Sequence, residues 1–316
     1  MRLLLLGGTS FIGRTIAEEA LRACVDLTLF SRGLTGNELF PSVPRLVGDR
    51  DAGDYSALED GSWDAVVDVS GYVPRHVGQA AEALGDRVGR YLFISSQAVY
   101  ERSGVVPGAD EDAPLRPPVR DTEELSEDTY GPLKVACEQE LVSRYGDRAT
   151  VVRPGKVAGP YDSSDAFTYW VRRAAQGGRA ALPGHPEQPV ELVDSRALAS
   201  LVVRLVLDDR GGAFNAGGPP EPTSLGELIH LCAEVAGTSV EVVPVPEGSG
   251  GPFFPLVRDR SAWSGLQRSC ARAYTAGLPR IPLAQTATDV LAWDQARGLP
   301  RLTSGFTPAD EAALLA

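Results

Sequence analysis

The chain is poor in the residues that build metal and disulfide sites. Its 316 residues include three histidines and four cysteines. The cysteines, at positions 24, 137, 232 and 270, show no CxxC spacing. They read as reduced thiols of a cytoplasmic protein rather than as a disulfide framework. With so few histidines and no His/Cys cluster, no catalytic metal is expected. Long apolar runs are missing too. No stretch reaches the ~18 residues a transmembrane helix needs, and the N-terminal leucine run has no signal-peptide cleavage site. Positive charge is in deficit: 30 Lys and Arg face 42 Asp and Glu, a net charge of −12. A phosphate-backbone binder normally has the opposite sign. The expected partner is therefore a small-molecule substrate, with no nucleic acid and no membrane, and the acidity serves solubility.

What the chain does have is alternation. "RLLLLGG", "VDLTLFSRG", "WDAVVDVSGY", "RYLFISSQ" and "ATVVRPG" are short, nearly continuous apolar runs, separated by helical patterns such as "FIGRTIAEEALRA". Runs of this kind are strands covered on both faces, as in a parallel sheet. The fold class expected is α/β, a doubly wound parallel sheet of Rossmann type with a smaller, interleaved α+β substrate domain. Residues 1–158 with 189–217 are assigned to the dinucleotide-binding domain, and 159–188 with 218–316 to the substrate domain. Residues 101–128, rich in proline and acid, read as a loop over the sheet edge.

The stretch "LLLLGGTSFIG" carries the first functional signal. A strand must turn sharply into a helix there. Gly7 supplies backbone angles that other residues avoid, and Gly13 allows close helix–strand packing. The helix N-terminus then aims free N–H groups at a pyrophosphate. NAD enzymes usually carry an acid about 20 residues further on, for the ribose 2′-OH. This chain has Ser31 and Arg32, and a guanidinium suits a 2′-phosphate. The cofactor expected is NADP(H), with NAD as the alternative.

A second signal is "DTYGPLKVACEQEL". Tyr130 and Lys134, four residues apart, share one helix face. Asp128 or Thr129 is placed to cap that helix, and Pro132 falls in its first turn. A free tyrosine titrates near ~10 and is a poor base; a neighbouring ammonium lowers that value and makes the pair a general acid–base device. "FISSQAVY" adds two hydroxyls, Ser95 and Ser96, at a strand's carboxyl end.

With these motifs the chain resembles the extended short-chain dehydrogenase/reductase family, in its NAD-dependent epimerase/dehydratase branch. That family carries TGxxGxxG where this chain has Leu6 and Ser10 in place of the leading Thr and the middle Gly. The resemblance implies that Thr9, Ser10, Phe11, Ile12 and Gly13 line the diphosphate. It also implies that Asp49 and Arg50 in "GDRD" and Val69 and Ser70 in "DVSGY" lie beside the adenosine. The SSxxVY pattern selects Ser96 as the third catalytic residue. Lys134 would also hold the nicotinamide ribose. "VVRPGKVAGP" matches RPxxVxGP, which puts Pro154 and Val157 by the nicotinamide and leaves Arg153 to structure the strand end.

Departures from the family narrow the chemistry. Sugar-nucleotide 4,6-dehydratases follow the active hydroxyl with an Asp–Glu pair; here Gln97 and Ala98 follow, and neither is a base. Sugar-nucleotide epimerases place an arginine before the "fxxVxD" strand; here the stretch is Glu187-Gln188-Pro189-Val190, with Arg172, Arg173 and Arg179 as possible substitutes. Ala197 replaces the family's aspartate, removing a usual polar tie. The function expected is an NAD(P)-dependent reductase or dehydrogenase of a small molecule. An NAD-dependent sugar epimerase is the alternative, and a non-catalytic RNA-associated relative comes third. Phe167, Tyr169, Trp170, Phe253 and Phe254 are assigned either to an apolar pocket wall or to plain core. His76 and His185 read as loop residues and His230 as part of an apolar helix, all structural. A homodimer built through the YxxxK helix would use Val135 and Leu141.

Overall fold

The structure is a computed structural model and describes residues 1–218, 223–251 and 254–316. The chain runs β1 (Arg2–Leu6), α1 (Phe11–Arg22), β2 (Asp26–Ser31), β3 (Arg45–Val47), β4 (Trp63–Asp68), α2 (Pro74–Leu84), β5 (Val88–Ile94), α3 (Tyr130–Tyr145), β6 (Ala149–Pro154) and β7 (Lys156–Ala158). It continues through α4 (Ala166–Ala175), β8 (Gly178–Leu182), β9 (Pro189–Val190), β10 (Leu192–Asp194), α5 (Ser195–Leu207), β11 (Gly212–Ala216), β12 (Thr223–Ser224) and α6 (Leu225–Val235). It closes with β13 (Val240–Pro244), α7 (Ala271–Thr275), α8 (Leu283–Ala296) and α9 (Pro308–Leu315).

Seven strands form one parallel sheet in the order β11-β6-β5-β4-β1-β2-β3. The order reverses between β1 and β4, and such a switch point opens a crevice at the carboxyl ends of the strands. The leucines of β1 show why the sheet is covered twice. Leu3 and Leu5 pack with Ile16 of α1 and with Leu198 and Leu201 of α5. Leu4 and Leu6 point the other way, to Val77 and Ala80 of α2 and to Cys137 and Leu141 of α3. All four leucines are 1% exposed or less, and each contributes about 1.5–3 kcal/mol of burial.

A separate apolar cluster gathers Phe167, Tyr169 and Trp170 of α4 with α6, α8, β8 and Phe254. The aromatics pack edge-to-face on one another, with Tyr169 and Trp170 centroids 4.9 Å apart. Trp170 donates its indole N–H to the Pro255 carbonyl. They form the core of this lobe, and Tyr169 also lines a cleft of about 310 Å³ together with Arg172, Arg173 and Phe306; Phe253 lies outside the described residues. Arg172 and Arg173 are also committed inside the lobe, to Asp294 and Glu311, and Arg179 donates to the Leu315 carbonyl. None of the three is left to substitute for a diphosphate-gripping arginine. The tie lost at Ala197 is supplied by Asp194, which caps α5 through the Arg196 amide and accepts from Thr286.

Val135 and Leu141 are buried within the chain itself, against Val99 and Tyr100 and in the α2–α3 layer respectively. They are unavailable for a dimer seam. Helix α3 gives Leu133, Val135, Ala136, Cys137 and Leu141 to the protein's own core and leaves Val142 exposed. No helix among the described residues is long and apolar enough to cross a membrane.

Candidate active site

The turn after β1 builds the first half of the site. Gly7 has φ 103° and Gly8 φ 117°. A Cβ on Gly7 would lie 2.5 Å from the Val69 side chain, and one on Gly13 would lie 2.6 Å from the Gly8 nitrogen. Both positions therefore exclude a side chain, which keeps the start of α1 bare. Above it lies a cleft of about 460 Å³. Its lining includes Gly7, Thr9, Ser10, Phe11, Ile12 and Gly13 from the turn and Ser31 and Arg32 from the end of β2. Asp49, Arg50, Val69 and Ser70 line it as well. All twelve residues assigned from sequence to the diphosphate and adenosine side thus share one cleft. Its size, its bare helix start and its place at the switch point fit a dinucleotide.

Arg50 also ties the cleft wall together. Its guanidinium is buried and holds Asp68 in two hydrogen bonds of 2.6 and 2.8 Å, and it also donates to the Ser70 hydroxyl and the His76 carbonyl. Asp68 accepts further from Tyr91 at 2.8 Å and from the Ser70 amide. Burial pushes the Asp68 carboxyl up, but Arg50 outweighs it and holds the group below its usual range. Arg50 thus braces the cleft wall that it lines.

The residues expected to be catalytic adjoin this cleft through Tyr72, which lines it. Tyr130 is the first residue of α3. Thr129 occupies the N-cap, yet its side chain makes no cap bond; its hydroxyl donates to the Glu124 carbonyl. Lys134 is 3% exposed and donates from Nζ to the carbonyls of Gly71 at 2.7 Å and Ile94 at 3.0 Å. Those carbonyls belong to the loop after β4 and the end of β5, so the ammonium ties two strand ends together. It lies 5.1 Å from the Tyr72 ring centroid and 5.9 Å from that of Tyr130. Of the chain's 30 basic residues only Lys134 and Lys156 are lysines. A compact ammonium fits between two carbonyls where a guanidinium fork does not.

Burial raises the Tyr130 phenol above its ordinary value, and hydrogen bonding with Ser96 works in the opposite direction. The lowered phenol expected from Lys134 is not found in the protein alone, because the ammonium is turned to its two carbonyls. Burial in turn lowers the Lys134 value. Ser96 caps the short turn Gln97–Val99 through the Ala98 amide. Ser95 is engaged elsewhere: it donates to Glu138 at 2.5 Å, which also takes two bonds from Arg153. Arg153 anchors the end of β6 as expected, with a further bond to Tyr100. Pro154, the last residue of β6, and Val157, the middle residue of β7, are buried and are not part of the cleft lining.

Two features escaped the sequence. Glu191 accepts from the Gln97 amide at 3.0 Å and from the Cys270 thiol at 3.6 Å. Its second oxygen has no partner among the described residues. Burial raises this carboxyl to about 7. An acid thus stands beside Gln97, although none follows Ser96 in the chain. His76 is not in a loop but in the first turn of α2, and it lines the cleft. His185, which does lie in a loop, pairs with Glu247, and His230 is exposed on α6.

The NAD dependent epimerase/dehydratase family model matches residues 62–217. The chain is 26% identical over 331 residues to the chloroplast stem-loop binding protein of 41 kDa b of Arabidopsis thaliana, a match covering 98% of this chain and 83% of that one. It is 24% identical to the UDP-glucose 4-epimerase of Corynebacterium glutamicum, covering 83% of this chain and 88% of that one. Among solved structures it is similar to UDP-glucuronic acid 4-epimerase from Bacillus cereus in complex with NAD, at 15% identity and a TM-score of 0.69 over 94% and 98% of the two chains. It is also similar to RMD from Pseudomonas aeruginosa complexed with NADPH, at 21% identity and a TM-score of 0.67 over 94% and 99%. Residues 62–217 are therefore a domain of the NAD-dependent epimerase/dehydratase family, set in a chain with the extended short-chain dehydrogenase/reductase fold.

Proposed function

We propose that the protein is an NADP(H)-dependent oxidoreductase that moves hydride to or from an oxygen-bearing carbon of a small molecule. The observation that carries this is the grouping of Tyr130, Ser96 and Lys134 next to a cleft shaped by the glycine turn. When bound, a nicotinamide cofactor supplies the hydride acceptor or donor. Tyr130 gives its phenolic proton to the substrate oxygen in reduction and takes one back in oxidation. Ser96 orients the same oxygen by hydrogen bond. Lys134, fixed by its two carbonyls, keeps the loop after β4 and the strand end before Ser96 in place around the phenol. Arg32 at the cleft mouth supports the phosphorylated cofactor.

The epimerase alternative uses the same residues and differs in the fate of the cofactor, which would stay bound and be regenerated each cycle. It draws on the likeness to the Corynebacterium enzyme. Protein isolated with NAD bound, and no net nicotinamide oxidation on turnover, would favour it. The test is a thermal-shift comparison of NAD, NADH, NADP and NADPH, followed by a crystal soaked with the strongest binder and inspected for density beside the nicotinamide. NADPH is expected to stabilise most. If none of the four stabilises the protein, the oxidoreductase assignment fails.

A further inference from the structure

Arg32, Asp51 and His76 converge on one side of the cleft, and all three line it. His76 is 7% exposed, and neither ring nitrogen has a hydrogen-bond partner among the described residues. Its Nε2 lies 3.2 Å from Oδ1 of Asp51, without hydrogen-bond geometry. The other Asp51 oxygen, Oδ2, lies 3.7 Å from Nη1 of Arg32. The Asp51 side chain is 69% exposed and is displaced at little cost. One exposed carboxylate therefore sits between a guanidinium and a buried imidazole. Two further cations stand close by but are engaged: Arg50 with Asp68 and Arg75 with Glu123.

We propose that Arg32 and His76 form a clamp for the 2′-phosphate of NADP(H), with the Asp51 carboxylate holding the phosphate's place until the nucleotide arrives. This rests on the NADP(H) assignment and adds His76 as the residue that reads the phosphate. A 2′-phosphate offers three acceptor oxygens and nearly two negative charges, where Asp51 offers one charge. In the protein alone, burial disfavours the imidazolium, as do Arg50 and Arg75, while Asp51 and Asp68 favour it. A dianion between Arg32 and His76 tips that balance toward the charged ring. Binding of the phosphorylated cofactor then draws a proton from solvent onto His76, and no covalent bond changes.

The test is calorimetric titration of the full-length protein with NADPH and with NADH between pH 6.5 and 8.5, in buffers of different ionisation enthalpy. Wild type is expected to take up protons with NADPH but not with NADH, and its NADPH affinity falls as pH rises. His76→Gln is expected to weaken NADPH by about tenfold at the acid end, to leave NADH within about twofold, and to abolish the linked proton. Asp51→Asn is expected to tighten NADPH. Equal loss of NADH and NADPH in His76→Gln overturns the clamp, because the ring would then serve the adenosine and not the phosphate. Unchanged NADPH binding in that variant overturns it as well. Wild type that binds NADH but not NADPH sinks both the clamp and the NADP(H) preference. Wild type that binds neither sinks the dinucleotide site itself.

Discussion

The side-chain amide of Gln97 meets the Glu191 carboxylate at 3.0 Å, joining two residues 94 positions apart in the chain. The contact brings an ionisable group next to the turn that carries Ser96, and Glu191 titrates at about 7, far above an ordinary carboxyl. Its folded value exceeds its unfolded one. The folded state is therefore favoured fully below about pH 4.5, and that advantage is lost as pH rises to about 7. The shift corresponds to on the order of 3 kcal/mol. Glu191→Gln is expected to flatten the dependence of Tm on pH between 5 and 8 and to melt a few degrees above wild type at pH 8. Parallel melting curves for the two proteins would show that the carboxyl does not titrate in this window.

Tyr130→Phe is expected to fold and to bind nucleotide within about twofold of wild type, while kcat falls by about 10²–10⁴. The check is single-turnover kinetics with an identified substrate, alongside nucleotide titration. Activity within a factor of a few of wild type would remove Tyr130 from the chemistry.

The pair Glu138–Arg153 is buried on both sides, with contacts of 2.7 and 3.0 Å. Removing one partner leaves an uncompensated buried charge beside Ser95. Arg153→Met is expected to cost about 3–5 kcal/mol in denaturant unfolding. The double variant with Glu138→Leu should recover part of that loss, since no lone charge then remains. A double variant as weak as the sum of the two singles would contradict this account.

Gly13→Ala puts a methyl 2.6 Å from the Gly8 nitrogen, which the turn cannot accommodate without moving. The expected result is a loss of about 1–3 kcal/mol together with weakened nucleotide binding, read by thermal melting and titration. Wild-type affinity in this variant would separate the turn from the cofactor.

The sheet and its first turn were legible because local chemistry dictates them. Leu3 to Leu6 can only be a strand covered on both faces, and Gly7 and Gly13 mark where a Cβ is excluded. Tyr130 and Lys134 were legible because four residues of helix bring them to one side. What sequence spacing does not carry is convergence across the fold. Arg32, Asp51 and His76 come from three different segments, and Glu191 reaches Gln97 from the link between β9 and β10. Val135 and Leu141 show the opposite failure. An apolar helical stripe looks the same whether it meets its own core or a partner, and here the α2–α3 layer and the Val99–Tyr100 turn claim it.

Lys134 bridges the Gly71 and Ile94 carbonyls, and so works as a rivet as well as a charge. Any motion that parts the loop after β4 from the tip of β5 must first tear this ammonium from one of its two anchors. Helix α3 and the spacing of β4 and β5 are thus fastened together as one mechanical body.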